Sequence, residues 1–395
     1  MGTQAGVGIS HHRNPHLAGQ LAAELALRQA DIDQPDFVLM FASVGYPQQA
    51  LVQSVRKATS HAPLCGCSGE GIITNGVADE SNFSVAVMVI KSDEMTFQRG
   101  FSLGLSQDPL QVGQSVGDAL EAHIHPDNQA LFVFADGLTF NFDKFLEGLT
   151  SQVELNQSLP IFGGASADNW ELSKTYQYCD DQVFSDGVTW ALLSGRTQLA
   201  WAVNHGCVPI GGRKTVTRAV GNVIYEIDGK PALKVLEEYL SSDEIDNWQR
   251  TVINLCLGFK APSHLKSYDE YLIRFIPTKD DETASITIQT EVDEGTGIWM
   301  TRRDHDKISR GVENMAASLQ EQLAGATPKM IFQFDCCGRG NVVFRNQQKV
   351  DLLNRLQQQI GSEIPWIGLY TLGEIGPVNG SNCFHNYTAV LTAVY

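Results

Sequence analysis

One supersecondary unit recurs three times along this chain, and that recurrence limits the fold more than any other feature. The first copy runs through Phe37-Val-Leu-Met-Phe-Ala42, a helical stretch, Pro63-Leu-Cys-Gly-Cys-Ser-Gly-Glu-Gly71 and Ser84-Val-Ala-Val-Met-Val-Ile90. The second runs through Leu131-Phe-Val-Phe-Ala-Asp136, a helix, Pro160-Ile-Phe-Gly-Gly-Ala-Ser-Ala-Asp168 and Val188-Thr-Trp-Ala-Leu-Leu193. The third runs through Ile331-Phe-Gln-Phe-Asp-Cys336, a helix, Pro365-Trp-Ile-Gly-Leu-Tyr-Thr-Leu-Gly-Glu374 and Tyr387-Thr-Ala-Val-Leu-Thr-Ala-Val394. Each copy reads strand, helix, glycine-rich return, strand. Repetition of a whole unit means an architecture assembled from related pieces. Strand ends and small-residue returns are also where open α/β sheets bind ligands.

The expected fold is α/β, with two domains, mixed sheets and repeated strand-helix-strand units. The 395 residues suggest two or three domains. The first is expected over 1–210 and the second over 211–395, joined near Cys207-Val-Pro-Ile-Gly-Gly212. The repeat strands are apolar on both faces, so both faces of each sheet must be covered. If the helices cover one face, another sheet covers the other, and a helix-sheet-sheet-helix layering satisfies this. Helices are expected over His16 to Ala30, with a stripe of Leu17, Leu21, Leu25 and Leu27, and over Gln48 to Ser60, Leu110 to His123, Ala232 to Leu240 and Ser309 to Leu323. A strand is expected at Ile253-Asn-Leu-Cys-Leu.

Several function classes are disfavoured. The net charge of −17 argues against nucleic-acid binding through basic patches. No apolar run reaches bilayer-spanning length, so membrane insertion is not expected. The N-terminus lacks a signal-peptide pattern, and the expected location is cytoplasmic. Eight scattered cysteines fit neither a disulfide framework nor a zinc ribbon. Neither G-x-G-x-x-G nor a P-loop occurs. Self-association is left open.

The chemistry-bearing residues gather near the third copy. Arg339 lies just past the strand ending at Cys336. Glu374 follows a glycine in the third return, and His385-Asn386 opens the next strand. If the strand ends converge, Arg339, Glu374, His385 and Asn386 line one polar pocket. The Arg339 guanidinium suits a ligand carboxylate, and Glu374 a ligand ammonium. An internal Arg339–Glu374 ion pair is the other reading, and both stay open at this stage. Cys336 or Cys337 with His385 and Glu374 also holds the residue types of a thiol nucleophile site. Residue types are cheap in a long chain, and catalysis is not the expectation.

The chain resembles the FIST family, with N-terminal and C-terminal FIST domains covering nearly all of it. The resemblance rests on Gly66-Cys-Ser-Gly69, the 160–168 return, Gly206-Cys-Val-Pro-Ile-Gly211, Thr217 through Asp228-Gly-Lys-Pro-Ala232, Phe334-Asp-Cys-Cys-Gly-Arg339, Gly373-Glu374 and Phe384-His-Asn386. It implies a signal-input module for a small ligand, with amino acids proposed as ligands. One bacterial subgroup binds haem and senses nitric oxide, acting on a partner histidine kinase, and the chain's lack of a fused output region resembles that subgroup. Haem b needs an axial ligand, usually His or Cys. Most of the ten histidines sit at turns or in loops, His264 among them. His205 follows the apolar run Leu199-Ala-Trp-Ala-Val203 and precedes Gly206, where a flat ligand could approach. It is the expected axial ligand, with Cys207 and Cys336 behind it. The resemblance thus implies a haem-based nitric oxide sensor acting on a partner histidine kinase, with a receptor for an amino acid or similar metabolite and a thiol-dependent enzyme as the alternatives.

Overall fold

The computed structural model describes residues 2–153, 159–245, 247–248, 255–261 and 271–395. Repeat 1 is β1 (Gln4–Ser10), α1 (Pro15–Ala30), β2 (Phe37–Ala42), α2 (Gln48–Ala58), β3 (Leu64–Ser68), a hairpin of β4 (Gly71–Thr74) and β5 (Val77–Asp79), and β6 (Val85–Lys91). Repeat 2 is β7 (Met95–Leu103), α3 (Pro109–Glu121), β8 (Asn128–Asp136), α4 (Phe142–Gln152), β9 (Ile161–Ser166), a hairpin of β10 (Gln177–Cys179) and β11 (Gln182–Phe184), and β12 (Gly187–Gly195). Repeat 3 opens with β13 (Leu199–His205). An insertion then runs from β14 (Cys207–Pro209) to β22 (Gly297–Arg303). It forms a nine-stranded sheet and carries the short helices α5 (Ala232–Glu237) and α6 (Ser242–Ile245). Repeat 3 resumes with α7 (His305–Leu323), β23 (Met330–Cys336), α8 (Asn346–Ile360), β24 (Trp366–Thr371), a hairpin of β25 (Gly373–Val378) and β26 (Ser381–His385), and β27 (Thr388–Val394). The strand expected from Ile253 is seen from Cys256; Ile253, Asn254 and His264 lie outside the described residues.

The three repeats exchange their hairpins in a ring. The sheet orders are β1-β6-β2-β3-β10-β11, β7-β12-β8-β9-β25-β26 and β13-β27-β23-β24-β4-β5. Each repeat builds four strands of its own sheet and donates its hairpin to the repeat before it, with repeat 1 donating to repeat 3. The corners of this exchange close a cycle of main-chain hydrogen bonds: Glu70 N to Tyr370 O at 2.9 Å, Ala167 N to Ser68 O at 3.1 Å, and Leu372 N to Ala165 O at 2.9 Å. No repeat can complete its sheet without another. The pairing also crosses residue 210, since β13 pairs with β27 from Leu199↔Val394 to His205↔Thr388.

Helices outside and sheet against sheet inside are as expected, but three sheets rather than two share the interior. Their inner faces meet in one apolar core. Phe41, Phe134 and Phe334, one from each repeat, form a triangle with ring centroids 5.2, 6.4 and 5.8 Å apart. A glycine recurs at one register position of each return strand. A Cβ on Gly66, Gly163 or Gly368 would lie 1.8, 2.0 or 2.1 Å from the carbonyl oxygen of Met40, Val133 or Gln333. Two strands can approach this closely only without a side chain there.

The α1 stripe is reversed from expectation. Leu17, Leu21 and Leu25 are exposed, while Ala18, Ala22 and Ala26 are buried. The cause lies in β1: a Cβ on Gly8 would sit 2.0 Å from Ala22 O, and one on Gly6 2.4 Å from Ala26 O. The helix backbone rests on the strand, so only its small-residue face fits inward.

Candidate functional site

The glycine register gives a residue-by-residue correspondence among the repeats. Met40, Val133 and Gln333 face Gly66, Gly163 and Gly368 across the parallel strand pairs. Two residues on, Ala42, Ala135 and Asp335 correspond. These side chains point outward to the helix layer, where repeats 1 and 2 are apolar. Repeat 3 is polar there, and its sheet and the helices α7 and α8 enclose a chamber of about 30 Å³ lined in part by Gln333, Asp335, Arg339, Phe344, Lys349 and Tyr370.

The chamber is a network of buried charges. Trp366 Nε1 donates to Gln333 Oε1 at 3.0 Å, and Gln333 Nε2 donates to Asp335 Oδ2 at 3.1 Å. Arg339 Nε donates to Asp335 Oδ1 at 2.8 Å. Lys349 Nζ lies 2.6 Å from Glu80 Oε1 and also donates to Asn341 Oδ1 at 2.9 Å. The Asn341 amide closes the group by donating to Glu80 Oε1 at 2.8 Å. Glu80 ends the hairpin region of repeat 1, so the Glu80–Lys349 pair joins two repeats. Burial pushes both Asp335 and Glu80 above the usual carboxylate range, against the pull of Arg339 and Lys349. Nearby, burial raises Glu70 to about 8. Its Oε2 accepts from Trp170 N at 3.0 Å.

The expected site residues divide between this chamber and its surroundings. Arg339 is in the chamber, paired with Asp335 rather than with Glu374. Glu374 is fully buried. Its Oε1 lies 2.6 Å from Thr371 Oγ1, and its Oε2 accepts from Thr388 N at 3.2 Å. Thr371 Oγ1 also lies 3.3 Å from Asp335 O. A single hydroxyl proton cannot serve both acceptors, whereas a protonated Glu374 donating to Thr371 satisfies the chain. Burial pushes Glu374 well above its ordinary value, which agrees. His385 Nε2 lies 3.0 Å from Gly376 O, and burial lowers its pKa to about 3. It is a neutral structural donor at physiological pH. Asn386 accepts from Phe275 N at 2.9 Å and donates to Gln289 Oε1 at 2.9 Å, which ties the insertion to the turn between β26 and β27. Cys336 and Cys337 are enclosed, and burial pushes the Cys337 thiol up.

His205 does not fit the axial role. It is fully buried, and its Nδ1 accepts from Cys207 N at 3.1 Å. The groove that borders β13 does not have His205 in its wall. Cys207 Sγ lies 3.7 Å from Cys256 Sγ, and burial holds its thiol protonated. A haem's axial ligand must present a lone pair to the iron, and the Nδ1 lone pair of the buried His205 ring is already taken by the Cys207 amide.

Sequence reasoning missed Gln333, Asp335, Lys349, Glu80 and Glu70. The signal for the first two was present in the repeat. Aligning Phe-Val-Leu-Met-Phe-Ala with Ile-Phe-Gln-Phe-Asp shows polar residues in one copy where the others are apolar. Glu80 and Lys349 carried no comparable signal, because only the exchange of hairpins brings them together.

A FIST N domain matches residues 36–230 and a FIST C domain matches residues 232–377. An uncharacterized protein of Mycobacterium tuberculosis (strain ATCC 25618 / H37Rv) is 28% identical, over 97% of this chain and 97% of that protein. An uncharacterized protein of Methanocaldococcus jannaschii is 24% identical, over 71% of this chain and 56% of that protein. Among solved structures, a chorismatase aligns over 100% of this chain and 99% of that chain at 9% identity and a TM-score of 0.37. A cyanuric acid hydrolase from A. caulinodans aligns over 49% of this chain and 71% of that chain at 10% identity and a TM-score of 0.28. Likeness this low carries no argument about chemistry. The two family matches follow one another along most of the sequence, and the chain belongs to the FIST family, whose domains serve as small-ligand sensors in signal transduction.

Proposed function

We propose that this protein is a receptor for a small charged metabolite of the amino-acid class, bound at the Asp335–Arg339–Lys349–Glu80 chamber. One observation carries the reading. Repeat 3 buries the polar Gln333 where repeats 1 and 2 have Met40 and Val133, and the charge of Asp335 where they have Ala42 and Ala135. Buried ion pairs contribute little net stability compared with apolar packing, so the fold alone does not call for them.

The chamber of about 30 Å³ has room for a water or two. A ligand therefore replaces internal partners instead of filling an existing void. Its carboxylate takes the place of Asp335 at Arg339 or of Glu80 at Lys349, and its ammonium meets the carboxylate released. Separating Glu80 from Lys349 loosens the contact between the repeat 1 hairpin and α8. That gives two states with different surfaces, as a signal-input protein requires. The output is a partner protein, for which the family resemblance suggests a histidine kinase. No catalytic step is assigned.

The test is a thermal-shift screen of the protein against single amino acids and related dicarboxylates, with a haem titration alongside. A stabilising hit that disappears in Arg339→Met supports the chamber. Stoichiometric haem uptake with a sharp Soret band, and no amino-acid hit, replaces this reading with the haem sensor.

A further inference from the structure

A second site lies beside the chamber, along the free edge of β13. A groove of about 500 Å³ is lined by Trp201, Asn204, Asn314, Ser318 and Gln322, with Pro377 to Gly380 forming the opposite wall. Its lining residues carry no charge, although the chain as a whole has a net charge of −17.

The strand register shows what this edge offers. Gln198 and Tyr395 exchange both main-chain hydrogen bonds, at 2.9 and 3.0 Å. The even-numbered residues of β13 therefore bond to β27, and the odd-numbered ones turn their N–H and C=O to the other edge. Trp201 shows this directly. Its N–H donates to Gln322 Oε1 at 3.1 Å, and its C=O accepts from Gln322 Nε2 at 2.7 Å. A side-chain carboxamide on α7 thus occupies one rung of the ladder as a peptide group would. The next rung is Val203, about 7 Å further along the edge. Among the described residues no group takes its N–H or C=O. Asn204 Oδ1 is a buried acceptor with no described donor, and Asn204 lines the same groove.

The groove is covered on two sides. α7 supplies Asn314, Ser318 and Gln322 on one face, and the β25–β26 turn supplies the other. Trp201 Nε1 donates to Pro377 O at 3.0 Å, which fixes the indole as a wall. A strand edge flanked by α7 and the β25–β26 turn offers main-chain pairing, which an extended chain can take up and a helix, whose N–H and C=O groups bond internally, cannot.

We infer that this slot binds an uncharged, extended peptide segment of a partner protein, which adds as a strand to β13 at Val203. The occupant is a peptide because a carboxamide already fills the neighbouring rung in pairing geometry. It is uncharged because nothing in the slot could neutralise a buried charge. Met315 lines both this slot and the charged chamber, so α7 is a wall common to the two.

The probe is a labelled, end-capped hexapeptide of alternating Thr and Val, read by fluorescence anisotropy. The control is the same peptide N-methylated at every residue, which blocks both of its edges. Saturable binding is expected for the first and at least about tenfold weaker binding for the second, the worth of one lost hydrogen bond. Val203→Pro removes the outward N–H, a position where an edge strand tolerates proline, and is expected to weaken binding by a similar factor. Gln322→Ala frees the Trp201 rung and is expected to tighten it. No saturable binding overturns the inference, and so does equal binding of the N-methylated peptide or of Val203→Pro. A dimer of the protein that Val203→Pro dissolves also overturns it, because a second copy then fills the slot. If Val203→Pro fails to fold, the N-methylated peptide decides alone.

Discussion

Replacing Glu70 by glutamine removes a proton-linked weakness from the ring where the repeats interlock. Glu70 is a corner residue, equivalent to Ala167 and Leu372, and it is only 3% exposed. Its carboxyl titrates at about 8 in the folded chain, against an ordinary 4.5, chiefly because burial disfavours the charge. Between those pH values the folded chain holds a proton that the unfolded chain has released. Stability therefore falls as pH rises from 4.5 through about 8. At about 1.36 kcal/mol per unit, the full difference is at most about 5 kcal/mol, and local relaxation brings the expectation to about 2–5 kcal/mol. The glutamine keeps an oxygen for Trp170 N and never ionises. Urea unfolding of both proteins from pH 5 to pH 9 measures the effect. The two are expected to be nearly alike near pH 5, to diverge up to about pH 8 and to differ by a constant amount above it, with Glu70→Gln the more stable. Parallel profiles across the range refute the reasoning, since they mean that Glu70 is ionised at no cost in the folded chain.

Three further outcomes follow from the same geometry. Gly163→Ala places a Cβ 2.0 Å from Val133 O. It is expected to cost more than about 4 kcal/mol, whereas Gly229→Ala, with open space around it and φ of +73°, is expected to cost about 1 kcal/mol; thermal melts compare them. Asp335→Ala strands the Arg339 charge and is expected to cost about 3–5 kcal/mol, while the triple change Gln333→Met, Asp335→Ala, Arg339→Met removes both charges, leaves only the Trp366 Nε1 donor unpaired and is expected to cost less, about 1–3 kcal/mol, as chemical denaturation would show. His385, neutral until about pH 3 in the folded chain against an ordinary 6.5, contributes stability that is full above 6.5 and is lost as pH falls through about 3. His385→Gln is expected to flatten that acid limb in pH-dependent melts.

The repeat was legible because it is written in strand residues and glycines that pack the same way in each copy. The Phe41, Phe134 and Phe334 triangle and the Gly66, Gly163 and Gly368 contacts are its physical content. The exchange of hairpins was not legible. Segments such as 71–79 pair equally well with any free strand edge, and only the closed ring selects the partner. The α1 face was misread because leucine is the stronger apolar signal, while the deciding residues, Gly6 and Gly8, sit on another element. For the site, the sequence pointed to Arg339 and to the right end of repeat 3, but not to its partner. Asp335 lies within an apolar strand, where one charge reads as an interruption. His205 looked available because sequence shows a neighbouring glycine but not the Cys207 amide that holds its ring.

The central claim is that the buried charges of repeat 3 exist to meet a ligand. Isothermal titration of the amino-acid hit from the thermal screen into the wild-type protein and into the Gln333→Met, Asp335→Ala, Arg339→Met protein tests it most directly. The account predicts one site per chain in the wild type and no measurable heat in a variant that still unfolds cooperatively. Unchanged affinity in that variant contradicts the account and places the ligand elsewhere in the fold.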